Sequence, residues 1–268
     1  MQARSTLRHC QLPPQIRCGF DQGHAVPPQT RDPRLHTIGD IAFWLEQEIY
    51  RLGVEVRTST YFDIEDVLAE HPDYVVVATG AIPRGNGIQY EYPHAPVDGF
   101  ARPHVMSAAD LLTSPQRELG KTALVFDDVG HYEAIAAAEH LLSKGVSVTF
   151  ATRFPVIGPQ VDFLSRVDPA LRRFADMGSF RPLIRAKLAK INHHSCSVYV
   201  RYQAEPETIE ADSVVFINAR EPLRDLYDGL RQSGFENGRN LAIVGDARAP
   251  RDLQFAMAEG HRLVRAMV

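Results

Sequence analysis

A run of small residues follows the first strongly apolar segment of this 268-residue chain. Ala78, Thr79 and Gly80 come directly after the β-branched run at 74–77, which is typical of a strand buried on both faces of a parallel sheet. Small residues at a strand end let the backbone approach a flat ligand closely, and open α/β sheets bind ligands beyond these ends. The segment is therefore a candidate cofactor contact, and its alternative interpretation is a buried strand that ends in a glycine turn.

A second strand end, late in the chain, offers an amide and a carboxylate. Gly245 and Asp246 follow the apolar segment 241–244. The Asp246 carboxylate can accept hydrogen bonds from sugar-type hydroxyls. Arg251 precedes Asp252, a candidate N-cap of the last helix, whose first amides would face an anion. A turn stabilised by its own aspartate is the alternative.

The third candidate is a turn between a strand and a helix, where dinucleotide folds bind phosphate. Its candidate contacts are Gly130 and His131, but Asp127 and Asp128 stand where the leading glycines of such a turn would be. Their charges would oppose a pyrophosphate by ~1 kcal/mol in water, and by more where water is excluded. Weak binding, another binding pose and a purely structural turn all remain open.

Arg153 follows the next strand of the same unit, where an acid would contact the ribose 2′-hydroxyl of NAD. An arginine there can instead meet a 2′-phosphate and favour NADPH over NADH. A solvated surface arginine is the alternative. No residue pattern identifies a general acid or base, so the catalytic residues are unassigned, and the cysteines form no metal-binding pattern.

Alternating helix and strand patterns position these segments and predict an α/β fold with doubly wound parallel sheets. Trp44 falls at helical spacing in the first helix and is expected in the core. The predicted helices are 37–52, 63–70, 108–112, 131–143, 166–176, 223–232 and 252–267, and the predicted strands are 54–57, 74–78, 122–126, 146–150, 184–191, 196–202, 213–217 and 241–244.

Composition excludes several classes of protein. The net charge of −4 argues against nucleic acid as the main partner, and no apolar run approaches the ~20 residues of a membrane helix. Three sparse cysteines, Cys10, Cys18 and Cys196, suit a reducing cytoplasm. Residues 1–34 combine arginines and prolines without an apolar targeting segment, so we expect an irregular arm there.

The combined motifs resemble a flavoenzyme group that includes trimethylamine dehydrogenase, histamine dehydrogenase and 2,4-dienoyl-CoA reductase. The resemblance covers about residues 35–268 and rests on the combination more than on any one motif. It is carried by V-V-V-A-T-G with P-R at 75–84, D-D-x-G-H-Y with A-E at 127–139, and G-D-A-x-A-P-R with A-x-x-E-G-H-R at 245–262.

This resemblance implies Rossmann-like sheets and a flavin cofactor. Residues 35–82 plus 240–268 would form a partial FAD- or ADP-binding domain, and residues 83–239 an inserted NAD(P)-like domain. The group's flavin-bearing barrel, its iron–sulfur cysteine cluster and the Gly-rich first βαβ unit of the FAD domain have no counterpart here. The FAD site is therefore expected to be incomplete, and another subunit is a candidate source of the missing pieces.

Three functions compete at this stage. The chain is a subunit or fragment of a flavin- and NAD(P)-dependent oxidoreductase that passes electrons between a pyridine nucleotide and a flavin. Alternatively it is a module that binds ADP or NAD(P) without turnover, or a truncated product with a non-catalytic, scaffold-like role. All three require that the strands before Ala78 and Gly245 be neighbours in one sheet.

Overall fold

The computed structural model describes residues 36–57, 60–114, 116–161 and 167–267, and they form two compact units. Unit 1 combines the described residues up to Ile82 with those from Arg220 onward, and unit 2 is Pro83–Ala219. The predicted arm at 1–34, with Cys10 and Cys18, lies outside the described residues.

Unit 2 is built on a five-stranded parallel sheet. The strands, in spatial order, are β3 (Val105–Met106), β10 (Ser213–Ile217), β4 (Thr122–Asp127), β5 (Ser147–Thr152) and β6 (Phe180–Ile184). The strand order reverses between β4 and β10, which is where Rossmann-like sheets bind ligands. The architecture is α/β and Rossmann-like, as the sequence predicted.

Helices cover one face of this sheet. They are α3 (Ala108–Thr113), α4 (Tyr132–Ser143) and α5 (Val167–Met177). Their apolar faces pack on Val125, Phe150 and other buried strand residues of the larger core. Ser107 and Asp110 form a capping box that starts α3.

A three-stranded antiparallel sheet covers the other face. It consists of β7 (Ala186–Ile191), β8 (Ser195–Val200) and β9 (Glu207–Glu210). Leu124 and Phe126 of β4 point to this side, because neighbouring strand residues alternate between faces. Strands β6 and β9 were not predicted, since Pro182 interrupts one segment and Glu207 and Glu210 make the other strongly polar.

Unit 1 contains a two-stranded parallel sheet that joins distant parts of the chain. β1 (Val75–Val77) pairs with β12 (Leu241–Ile243), and Val77 lies opposite Ile243. This pairing confirms that the two glycine-ended strands are neighbours. A second strand pair joins β2 (Ala81–Pro83) and β11 (Arg220–Pro222).

The described part of unit 1 also contains four α-helices: α1 (His36–Arg51), α2 (Ile64–Ala69), α6 (Asp225–Gln232) and α7 (Leu253–Met267). Their core is small and centres on Val77, Tyr227, Leu230 and Leu241. Residues 220–239, expected in the inserted domain, lie in unit 1, because α6 packs against α2 and β12.

Two predictions in unit 1 were wrong. Residues 54–57 form no strand, because alternation alone does not supply a partner strand. Trp44 is 61% exposed rather than buried, and Phe43, Leu45, Tyr50 and Leu52 of the same region are also exposed. The helical spacing was right, but no described residue of unit 1 covers these side chains.

Candidate functional site

The predicted contacts of unit 1 meet at the carboxyl ends of β1 and β12. The backbone N–H of Val244 donates to the carbonyl oxygen of Val77 at 3.0 Å, so Ala78 and Val244 leave the sheet side by side. The Thr79 hydroxyl donates to the carbonyl oxygen of Leu223 at 2.5 Å. The Leu223 N–H returns a hydrogen bond to the Gly80 carbonyl oxygen at 3.0 Å.

Gly245 begins a short 3-10 helix, Gly245–Ala247, directly after β12. Its φ of +63° is in the left-handed region, which glycine adopts at no steric cost. Its N–H donates to Oε2 of Glu259, on α7, at 2.9 Å. No sequence pattern predicted this contact, through which a side chain of the following helix holds the turn in place.

Asp246 is held by two basic residues of unit 1. Its Oδ1 accepts the Arg251 backbone N–H at 3.1 Å, and its Oδ2 accepts from Nη1 of Arg220 at 3.4 Å. The Arg251 side chain pairs with Glu259. Asp252 accepts the Phe255 N–H at 3.0 Å, as expected of the N-cap of α7.

This arrangement fits the nucleotide part of a flavin. Each oxygen of an ionised carboxylate can accept about two hydrogen bonds, so Asp246 keeps capacity for a sugar hydroxyl. Its side chain is 22% exposed, which leaves the carboxylate reachable. Ala78, Gly80 and Gly245 place no large side chain at the two strand ends.

The strand–helix turn of unit 2 is closed by its own aspartate. Asp127 is fully buried, and its Oδ1 accepts the N–H groups of Gly130 at 2.7 Å and Val129 at 3.1 Å. These are the amides that a dinucleotide would need for its pyrophosphate. Burial raises the pKa of Asp127, while these two N–H donors act in the opposite direction.

Side chains also fill the space beside Gly130. A Cβ built on this residue would lie 2.7 Å from Cε2 of Phe154 and 2.9 Å from Cγ of Pro159. Glycine is required here by the protein's own packing, and its φ of +78° adds a second reason. The turn as folded therefore does not fit a pyrophosphate in the usual pose.

Arg153 is engaged within the protein. Its Nε donates to the carbonyl oxygen of Asp128 at 2.9 Å and lies 3.1 Å from the Asp128 carboxylate. Its guanidinium stacks on Phe154 and Tyr90, at 4.0 and 4.7 Å from the ring centroids. Burial raises the pKa of Asp128 to about 7, against the opposing effects of the Tyr90 N–H and Arg153.

The nine predicted contacts therefore fall into two groups. Unit 2 contains Gly130, His131, which is the N-cap residue of α4, and Arg153. Unit 1 contains Ala78, Thr79, Gly80, Gly245, Asp246 and Arg251. Sequence reasoning missed the roles of Arg220 and Glu259 in organising the unit 1 group.

Other chemistry is not supported by the described part of the chain. It contains no group of three or more histidine, cysteine or acidic side chains placed to hold a metal ion. Burial raises the pKa of the Cys196 thiol to about 12, so this cysteine is not a poised nucleophile. None of the described helices has the length and apolar character needed to cross a bilayer.

No protein-family model matches the chain. It is 26% identical to a probable N-methylproline demethylase of Rhizobium meliloti over 91% of its own length and 38% of that protein. It is 24% identical to the dimethylamine dehydrogenase of Hyphomicrobium sp., over 75% of the chain and 30% of the relative.

Solved structures agree at the level of the fold. Histamine dehydrogenase from Rhizobium sp. 4-9 superposes with a TM-score of 0.75 and 21% identity, over 92% of this chain and 38% of that protein. A 6-hydroxypseudooxynicotine amine oxidase from Pseudomonas geniculata gives a TM-score of 0.76 at 22% identity, over 91% of this chain and 35% of that protein. The chain thus spans little more than a third of these relatives. Together the comparisons confirm the resemblance to the trimethylamine dehydrogenase-like flavoenzymes.

Proposed function

We propose that this chain is part of a flavin-dependent oxidoreductase, and that its unit 1 binds the nucleotide part of FAD. The observation that carries the proposal is the parallel pairing of β1 with β12, which brings Thr79-Gly80 and Gly245-Asp246 to one edge of a sheet. Relatives named as dehydrogenases, a demethylase and an NADH oxidase support the redox role.

The residues of unit 1 have distinct roles in this proposal. Asp246 accepts hydrogen bonds from sugar hydroxyls, and Arg220 and Arg251 hold its carboxylate in place. Gly80 and Gly245 keep the approach to the strand ends free of side chains. When bound, FAD itself supplies the electron-transfer chemistry, and the protein supplies binding and orientation.

We further propose that the apolar face of α1 is covered by a polypeptide that carries the flavin barrel and the Gly-rich segment. Phe43, Trp44 and Leu45 are exposed in unit 1, as are Phe255 and Val264 of α7. The three consecutive side chains on α1 form exposed apolar surface, and such surface marks an interaction site. Adding that polypeptide should raise the affinity for FAD, because it supplies amides for the diphosphate.

A cytoplasmic location is consistent with the sparse cysteines.

Binding of a nucleotide without turnover is the second candidate, and the closed turn of unit 2 favours it. Asp127 occupies the amides of Val129 and Gly130, and Phe154 and Pro159 fill the adjoining space. Transfer of electrons from NADPH or NADH through unit 2 would require this turn to open. Reduction of bound FAD by either pyridine nucleotide in stopped-flow experiments would support turnover, whereas binding of FAD or ADP without reduction would support the second candidate.

The site in unit 1 can be tested by reconstitution with FAD, followed by absorbance of the flavin that the protein retains. Gly245→Trp and Asp246→Ala should each abolish retention. Gly53→Trp is the matched control for the first change, because Gly53 also has a positive φ, +68°, and open space around it. Retention of FAD by both site variants would contradict the proposal.

A further inference from the structure

A basic cleft in unit 2 adjoins the strand–helix turn, because Arg153 lines the cleft and pairs with Asp128 of the turn. It has a volume of about 510 Å³ and is lined by cationic and tyrosine side chains. Besides Arg153, its cations are Arg185, Lys187 and Arg201, and its only acidic lining residue among the described ones is Glu91. The excess of positive charge is local, since the whole chain has a net charge of −4.

The pairing of the antiparallel sheet of unit 2 brings Arg185 and Arg201 close together. Lys187 pairs with Tyr199 and Ala186 with Val200, so Arg185 and Arg201 face each other one position beyond the paired ends of β7 and β8. The Arg201 N–H donates to the Arg185 carbonyl oxygen at 2.8 Å. Like charges directly opposite each other destabilise a strand pair.

Both arginines also have strained backbones. Their φ values are +52° and +58°, and only one other non-glycine residue among the described ones, His71, has a positive φ. Such strain persists where the surrounding structure imposes it, and it clusters at ligand sites. A side chain other than glycine is costly at either position, so the two arginines mark a candidate ligand site.

Several other cations of the same unit have carboxylate partners. Lys190 pairs with Asp98 at 2.9 Å, and Arg181 pairs with Glu207 at 2.5 Å. No ion pair within the described residues joins Arg185, Lys187 or Arg201 to a carboxylate. The Lys187 ammonium instead lies 3.8 Å from the ring centroid of Tyr92.

We propose that this cleft binds a phosphorylated organic anion with a flat ring, such as a nucleoside diphosphate, through Arg185, Lys187 and Arg201. The guanidinium groups and the ammonium group can donate hydrogen bonds to phosphate oxygens, and the tyrosine rings offer stacking surfaces for the ligand's ring. Arg153 is not counted, because it is held by Asp128. The proposal does not depend on the FAD site of unit 1.

Calorimetric titration of the full chain with ADP, inorganic pyrophosphate and adenosine tests the proposal. All titrations are repeated in the Gly245→Trp background, so that binding in unit 1 is silenced separately. ADP should bind more tightly than pyrophosphate, adenosine should not bind detectably, and the affinity for ADP should fall with rising salt. Arg185→Ser with Arg201→Ser should weaken ADP binding at least tenfold, while Arg181→Ser should leave it unchanged.

Arg201→Gly separates binding from folding. Glycine relieves both the strained φ and the opposed charge, so this variant should melt at a higher temperature without ligand and bind ADP more weakly. His71→Gly relieves a similar strain in unit 1, and we expect a higher melting temperature with unchanged ADP binding. Absence of ADP binding in the Gly245→Trp background, or ADP binding that survives the loss of both arginines, would overturn the proposal, whatever happens to FAD in unit 1.

Discussion

Asp127 shows how one side chain can take the place of a ligand. Its carboxyl oxygen Oδ1 accepts hydrogen bonds from the two backbone N–H groups that would otherwise bind a phosphate. The Asp127 side chain is fully buried. The turn is therefore satisfied without a nucleotide. This accounts for a strand–turn–helix pattern that contains Gly130 but has Asp127 and Asp128 where a dinucleotide turn has its leading glycines.

Gly130 should be intolerant of any side chain. Gly130→Ala meets Phe154 and Pro159 within 3 Å at a φ of +78°, and we expect a loss of about 2–4 kcal/mol in the free energy of unfolding. Gly145→Ala is the matched control, because Gly145 has the same φ with open space and should lose only about 1–2 kcal/mol. Urea unfolding measures both. Equal losses would mean that the space beside Gly130 is not filled.

Asp128 should make stability depend on pH near neutrality. Its pKa in the folded protein, about 7, is above the value of an unfolded aspartate, so the folded state holds the proton more tightly. The free energy of unfolding should therefore fall as pH rises from about 4 to about 7, and this contribution should level off above that. Urea unfolding of Asp128→Asn across this range should show a shallower decline than the unsubstituted protein. Identical pH profiles would contradict the assignment.

At the scale of elements, α7 organises the turn that follows β12. Glu259 accepts the Gly245 N–H and pairs with Arg251, so a helix side chain holds a strand end in place. Glu259→Ala should cost about 1–3 kcal/mol, because it leaves that amide without its acceptor. Glu236→Ala, which removes an exposed pair with Arg239, should cost less than about 1 kcal/mol. Hydrogen exchange should accelerate at the Gly245 amide only in the first variant, and unchanged exchange there would refute this role.

Elements with strong periodicity were predictable from the sequence, and elements defined by distant partners were not. The apolar runs of β4, β5 and β10 and the capping residue Asp252 indicated the positions of their elements locally. Strand β9 is recognisable only through its pairing with β8, because its own residues are mostly polar. The strand expected at 54–57 failed for the complementary reason, since it has no partner in the described structure.

The candidate site was predictable in position but not in its bonding. Consecutive small and polar residues after β1 and β12 located the strand ends, and the parallel fold placed those ends together. The hydrogen bonds from the Gly130 and Gly245 N–H groups to carboxylates could not be inferred, because such contacts depend on side-chain geometry. The opposed arginines of the basic cleft were missed because strand register is not visible in one sequence.

At the scale of the whole molecule, the two units differ in the size of their hydrophobic cores. Both large clusters of buried apolar side chains lie in unit 2, whereas unit 1 has a small cluster around Leu230. Apolar burial is the main favourable term in folding, so residues 83–219 should fold alone. We expect cooperative urea unfolding of this segment with native-like circular dichroism. A segment that unfolds without cooperativity would show that unit 2 depends on unit 1.

Hydrogen exchange of the full chain with and without FAD, read by mass spectrometry, tests the central claim most directly. Amides of segments 74–81 and 241–248 should become protected, because both leave the sheet at the proposed nucleotide site. The exchange rates of the Val129 and Gly130 amides should not change, since both already donate hydrogen bonds to Asp127. Protection confined to residues 83–219, or no change in either strand end at saturating FAD, would contradict the account.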